Sequence, residues 1–371
     1  MNRAKLGRVA ALVVKEFRQL FRDPRMRRLI FVSPIIQLVV FGYAVSTDVR
    51  HTRLFVVDHD RTQASARLVD AFTAGGYFDV VGRSDRGADA AAALDHGRAV
   101  VALQIPAGYA RGLDDPAGTS VQILVDGTNS NVATVALGYA EQTVRSHGLA
   151  AAGREIVPPV DLRERAWFNP SLASRNYNVP AVIGTIMLLM SLMLTALAVV
   201  RERELGTLEQ LMVSPLTPGE LIAGKTSPFG LVALMQMTMI TAVALLWFRV
   251  PFLGQGPLLL LAALLFLVAA LGLGLLISTI STTQQEAFLA TFLVLMPVML
   301  LSGFMFPVTS MPAAFQWLTL LNPLRHYLEI VRAVFLKGSG IDALWPQLAA
   351  LLVMAVGVVW FASTRFHKTV R

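Results

Sequence analysis

The chain has 371 residues, with 32 Lys+Arg against 24 Asp+Glu, no cysteine, 55% hydrophobic residues and a mean hydropathy of +0.59. Charged residues make up only 15%, where a soluble domain carries about 25%, which excludes an ordinary soluble enzyme and a disordered chain. The absence of cysteine excludes disulfides, thiolate metal sites and cysteine nucleophiles, and the net charge of +8 has to be read from where the charges sit.

Residues 1–28 hold nine basic residues against Glu16 and Asp23. Leu6, Val9, Val13, Phe17 and Leu20 recur there at helical spacing, with Arg and Lys on the other face. That pattern predicts an amphipathic helix lying on an anionic membrane surface. The positive charge is thereby explained without nucleic acid. Next comes Leu29–Val45, apolar, too long for a signal peptide and without a small-residue cleavage site. It is the first of six predicted transmembrane helices; the others are Val179–Val200, Phe229–Phe248, Pro257–Ser281, Ala287–Phe306 and Leu344–Ser363. None contains Lys, Arg, Asp, Glu or His, although Glu286 stands at the mouth of the fifth. The tail after Ser363 carries Arg365, Lys368 and Arg371 and no acid. Basic termini on one side require an even number of spans, so both ends are expected in the cytoplasm. The fold class is therefore an α-helical polytopic membrane protein. Ala- and Arg-rich, Lys-poor usage suggests a GC-rich bacterial genome.

Residues 46–178, between the first two spans, are polar enough for a water-soluble domain on the outer side. Strands are predicted at Leu54–Asp58, Phe78–Val81, Ala99–Ile105 and Val121–Asp126, and helices near Gln63–Phe72, Arg86–His96 and Asn129–His147, a small α/β domain. Asp58-His59-Asp60 suggests a metal site, but consecutive residues at a strand end point different ways and rarely chelate together. A solvated turn is the better reading. No nucleophile elbow and no His-Glu-x-x-His is present.

The five remaining spans occupy 179–371, with a loop, Arg201–Pro228, after the second. Its segment Gly219-Glu-Leu-Ile-Ala-Gly224-Lys225-Thr226 matches the phosphate-loop pattern letter for letter. No apolar strand precedes it, a helix is predicted through Glu220–Ala223, and the loop is too short for a nucleotide-binding domain. The match is therefore rejected, and no cofactor or metal is assigned to this chain. In the same loop Glu202, Glu204 and Glu209 alternate with Arg201 and Arg203, and Leu205–Val213 can form a short amphipathic helix. An acidic and apolar helix offered to the cytosol suits the groove of a partner. Before the last span, Gly303–Lys337 is partly apolar but broken by Pro307, Pro312 and Pro323. It reads as a re-entrant helical hairpin on the outer side, tolerated where protein buries the broken backbone.

Taken in order, these segments resemble the permeases of ABC type-2 transporters. Those that carry the resemblance are RERELGTLEQLMVSPLTPGELIAGK after the second span, Phe168-Asn-Pro170 with Asn178-Val-Pro180, and Thr283-Gln-Gln-Glu286 through Met296-Pro297 to Leu301–Pro307. Asn322-Pro-Leu-Arg-His-Tyr327 before the last span completes the set. The resemblance covers essentially the whole chain, and the large external insert is similar to that of drug-resistance efflux permeases. It implies a transport subunit, with ATP and Mg on a separate ATPase subunit present in two copies. It also implies a second permease chain, identical or not, and surrounding lipid, with an extracytoplasmic adaptor as a further candidate. Coupling to the ATPase falls by resemblance on Glu204, Gly206, Thr207 and Glu209, with Leu208, Leu211 and Met212 as apolar contacts. Phe304, Phe306, Pro307, Asn322, Pro323 and Tyr327 are the outer gate candidates.

Independently of the family, a proton- or sodium-coupled carrier buries ionisable residues in its spans, and these spans hold none. Energy for active transport must come from outside them. Export of a hydrophobic or amphipathic drug-like molecule is the leading function. Export of a lipid or glycan precursor, or a non-transporting anchor displaying the external domain, are the alternatives.

Overall fold

The computed structural model describes residues 3–44, 51–115, 118–151, 167–170, 173–206 and 217–365. The coupling candidates Thr207, Leu208, Glu209, Leu211 and Met212 lie outside them. Two compact units form: Met1–Ser46 with Ala166–Arg371, and Thr47–Arg165.

The first unit begins with α1 (Arg3–Arg22) and α2 (Pro24–Ala44). Among the described side chains of α1, Leu12, Glu16 and Leu20 are buried. The stripe predicted to rest on lipid is thus partly turned onto protein. Leu20 packs with Ile30, Leu194 and Phe229, and α1 lies along the later helix Pro218–Leu246. Pro34 interrupts α2, and a proline leaves the carbonyl four residues earlier without its donor. That carbonyl belongs to Ile30, and Gln236 Nε2 donates to it at 2.8 Å. A neighbouring helix thus supplies the bond that apolar surroundings cannot.

The second unit runs β1 (Thr52–Asp58), α3 (Gln63–Ala74), β2 (Phe78–Ser84), α4 (Gly87–Asp95), β3 (Val101–Ile105), α5 (Tyr109–Leu113), β4 (Gln122–Val125) and α6 (Ser130–Ala151). The sheet order is β2-β1-β3-β4, with β1 parallel to β2 and β3, and β4 antiparallel to β3. Central β1 is buried on both faces. Leu54 and Val56 join Leu68, Phe72 and Ala136 on one side, and Phe55 and Val57 join Ala90 and Ala93 on the other. All four strands and three of the helices stand within a few residues of the sequence expectation; the short α5 had no periodicity long enough to read. The turn after β1 uses its acids structurally. Asp58 Oδ1 accepts from the amides of Asp60 and Arg61 at 3.0 and 2.9 Å. Asp60 accepts from the amides of Gly108 and Ala110 at 2.8 and 3.1 Å. No cluster of metal-ligating residues occurs among the described residues.

The first unit resumes with α7 (Ser174–Glu204), α8 (Pro218–Leu246), α9 (Gly256–Ile280) and α10 (Gln284–Leu300). A broken segment holds α11 (Ala313–Thr319) and α12 (Pro323–Arg332), which continues as a π-turn over Ala333–Lys337. Helix α13 (Ile341–Arg365) closes the unit. Among the described residues, four helical stretches are long and apolar enough to cross a membrane: Ser174–Glu204, Ala223–Leu246, Gly256–Ile280 and Ile341–Ala362. The apolar parts of the other two expected spans are shorter, Ile30–Tyr43 and Gln284–Leu300. The fifth predicted span, Ala287–Phe306, stops early: α10 ends at Leu300, and Gly303 turns the chain at φ +79°. Conversely α7 starts at Ser174, so residues 174–178, assigned from sequence to the polar domain, belong to a helix.

Helix α7 is the centre, packed against α2, α8, α9, α10 and α12. Small residues permit the approach. A Cβ on Gly274 of α9 would lie 2.9 Å from Thr195 Cβ and 3.1 Å from the Leu192 carbonyl oxygen of α7. Between membrane helices such close packing replaces the hydrophobic drive available in water.

Candidate functional site

Three consecutive residues at the end of α7 tie it to four other helices. Glu202, buried, pairs with the buried Lys225 of α8 and with Lys15 Nζ of α1 at 3.2 Å. Burial of Lys15 works against its charge, but Glu202 and Glu16 outweigh it and raise its pKa. Arg203 Nη1 donates to the Ser281 carbonyl at 2.6 Å, capping the end of α9. Glu204 Oε1 accepts from the Gln284 amide at 2.7 Å, and Gln284 Nε2 donates to Oε2 of the same carboxylate. An acid is thereby set on the free amides that open α10. Beside it, Thr283 and Glu286 form a capping box. Gly206 then takes φ +71°, a left-handed conformation that terminates the helix at no side-chain cost. Leu205, at the end of α7, is 65% exposed. Glu204 and Gly206 therefore stand at the C-terminal end of α7.

The phosphate-loop match is the start of α8. Thr217 caps this helix through a capping box with Glu220, and a continuous helix offers no loop of amides to cradle phosphate. Lys225 is 3% exposed and faces Glu202.

At the other end of α7 lie the gate candidates, in different settings. Tyr327 is wholly buried, stacked on Phe266 with centroids 4.4 Å apart, its hydroxyl 3.5 and 3.7 Å from the sulfurs of Met187 and Met237. Gly184 makes room for it: a Cβ there would lie 3.0 Å from Tyr327 Cδ1 and 2.9 Å from Leu328 Cδ2. Asn322 caps α12 by accepting from the Leu324 amide at 3.0 Å, and donates to the Val298 carbonyl at 2.7 Å. Pro323 is the buried first residue of α12. Phe304 is buried edge-on to Phe41 at 6.0 Å, while Phe306 is 55% exposed. Of the six candidates only Pro307 lines the cleft of about 520 Å³ between the start of α7 and the broken segment. Sequence reasoning missed the charged residues of that cleft, Arg325, Glu329 and Arg332. Their i, i+4, i+7 spacing inside an apolar stretch was the available signal.

The pattern described as "ABC-2 family transporter protein" matches residues 26–364. The chain is 33% identical to the "Probable multidrug ABC transporter permease YbhR" of Escherichia coli K12, over 98% of this chain and 99% of that protein. It is 32% identical to YbhS, of the same printed description and organism, over 96% and 97%. It is 31% identical to the E. coli K12 "Inner membrane transport permease YhhJ", over 98% of each. With its apolar helices and the match over nearly its whole length, this chain belongs to the ABC-2 family of transporters, as a multi-pass membrane permease subunit and not the ATPase.

Proposed function

We propose that this chain is the permease of an ATP-driven exporter that moves a hydrophobic or amphipathic, drug-like molecule outward across a bacterial inner membrane. The full-length likeness to proteins named probable multidrug permeases carries the reading of cargo class. As an ABC permease it works with an ATPase subunit. Two copies of that subunit, holding ATP and Mg, and a second permease chain complete the transporter. In this reading six helices span, α2 and α10 included, both termini are cytoplasmic, and Thr47–Arg165 lies outside.

The geometry at the end of α7 supports the mechanism. The ATPase docks on the segment that starts at Glu204, Leu205 and Gly206 and continues through Thr207, Leu208, Glu209, Leu211 and Met212. Because Glu204 holds the first amide of α10, a push there moves α7 and α10 together as rigid bodies. The broken segment 303–337 then opens as the outer gate.

The test is purification of the tagged full chain in mild detergent, followed by an ATPase assay. A stoichiometric soluble ATPase should co-purify with activity, and Glu209→Lys should leave insertion intact but abolish both association and transport. Wild-type transport in that variant rejects the docking assignment, and a chain that purifies alone and inactive rejects the exporter.

A further inference from the structure

The cleft beside Arg332 holds an unmet demand. Arg332 Nη1 donates to the Gly303 carbonyl at 3.0 Å, and the guanidinium carbon lies 3.7 Å from the centre of the Tyr177 ring. Its Nε and Nη2 are buried and have no hydrogen-bond partner among the described residues. The nearest acid is already engaged: Glu329 accepts from Arg325 Nε at 3.3 Å and from Gln347 Nε2 at 3.1 Å. Arg325 also donates to Thr319 Oγ1 and, at 3.3 Å, to the Gln316 carbonyl. The cleft therefore carries two guanidinium groups against one carboxylate. A guanidinium is the fork that grips a carboxylate or phosphate through two parallel bonds.

The opposite wall is apolar, from Pro307, Val308, Trp317 and Leu320. A volume of about 520 Å³ suits a small amphipath. A guanidinium that shares its one carboxylate with a second arginine in an apolar segment costs stability and marks a candidate site.

We propose that this cleft is a binding subsite for a single carboxylate or phosphate head carried on an apolar body, held by the guanidinium of Arg332, which lines it, with the body along Trp317 and Leu320. Its role in export rests on the function proposed above; the site itself does not. Two sources present this chemistry, an anionic phospholipid of the bilayer and an anionic amphipath in transit. Glu329 sets the preference by repelling a second negative charge.

The full chain in phosphatidylcholine nanodiscs is titrated with a brominated alkyl carboxylate and with the brominated alcohol of equal length. The readout is the tryptophan quenching that Trp317→Phe removes. The carboxylate is expected to bind at least about tenfold more tightly, a difference within reach of one charge-assisted fork. Arg332→Gln should erase that preference, Arg332→Lys should keep part of it, and Glu329→Gln should strengthen it without touching the anchor. Equal affinity for acid and alcohol in the wild type, or a preference that survives Arg332→Gln, overturns the proposal. Brominated phosphatidylglycerol in the disc separates the sources. Arg332-dependent quenching that competes with the carboxylate supports the site with a bilayer lipid as occupant. Carboxylate binding alone supports it with a transiting amphipath. No nucleotide or transport enters the readout, so failure here leaves the exporter standing, and failure of the ATPase experiment leaves the site.

Discussion

Lys225 satisfies a phosphate-loop motif in the sequence and an ion pair in the fold, and burial separates the two. Its partner Glu202 lies 23 residues away, and the loss of the shielded Lys225 leaves that buried carboxylate with only the half-exposed Lys15 as counter-charge. Lys225→Ala is expected to lower the stability of the assembled complex by about 3–5 kcal/mol, read as a drop in Tm, while the KM for ATP stays unchanged. Loss of hydrolysis at unaltered Tm would restore the phosphate-loop reading. Asp60 is the corresponding case in the α/β unit. The Thr62 hydroxyl first, then the amides of Ala110 and Gly108, hold its pKa below the ordinary carboxylate value against the opposing effect of burial. A depressed folded-state value means that the stabilisation is complete above the unfolded value of about 3.9 and is lost as pH falls through the folded one. Hydrogen exchange in the full chain should show protection of the Gly108 and Ala110 amides weakening below pH about 4. In Asp60→Asn that protection is expected to be lower throughout and flat with pH; an unchanged acid response in this variant assigns the effect to another group.

Elements were legible wherever the cause was local. Strand alternation and helical periodicity place β1 to β4 and α3, α4 and α6. Runs of apolar residues place the long helices of the bundle. What the sequence did not give was the end of α10, since the apolar run continues past Leu300 while Gly303 turns the backbone. The start of α7 was hidden for the opposite reason: Asn176 and Asn178 look like loop residues, yet both are buried in the helix. The joint of α7 and α12 offers a direct measurement. A Cβ on Gly184 meets Leu328, Tyr327 and Leu324 at 2.9, 3.0 and 3.2 Å, so Gly184→Ala should cost about 1–3 kcal/mol by overpacking. Tyr327→Phe should change stability by less than about 1 kcal/mol, because its hydroxyl has only sulfur acceptors to lose. Thermal unfolding checks both, and a larger loss from the phenylalanine than from the alanine contradicts this account of the joint.

For the whole molecule, the proposed topology is tested on intact spheroplasts. Protease added outside should cut within residues 47–165 and leave the segment 201–228 whole; the reverse pattern turns the protein over. The sequence by itself determined the membrane class, the absence of ionisable residues in the apolar runs and the order of the α/β unit. Composition and periodicity are summed over neighbours in the chain, so they survive without a fold. Only the tertiary structure decided that Glu202, Arg203 and Glu204 bind four helices, that Gln236 serves the carbonyl freed by Pro34, and that Arg332 faces a cleft with one edge unmatched. Those pairings join residues from 23 to 206 positions apart, or leave a donor unmatched, and which polar group meets which is set by the packing around it.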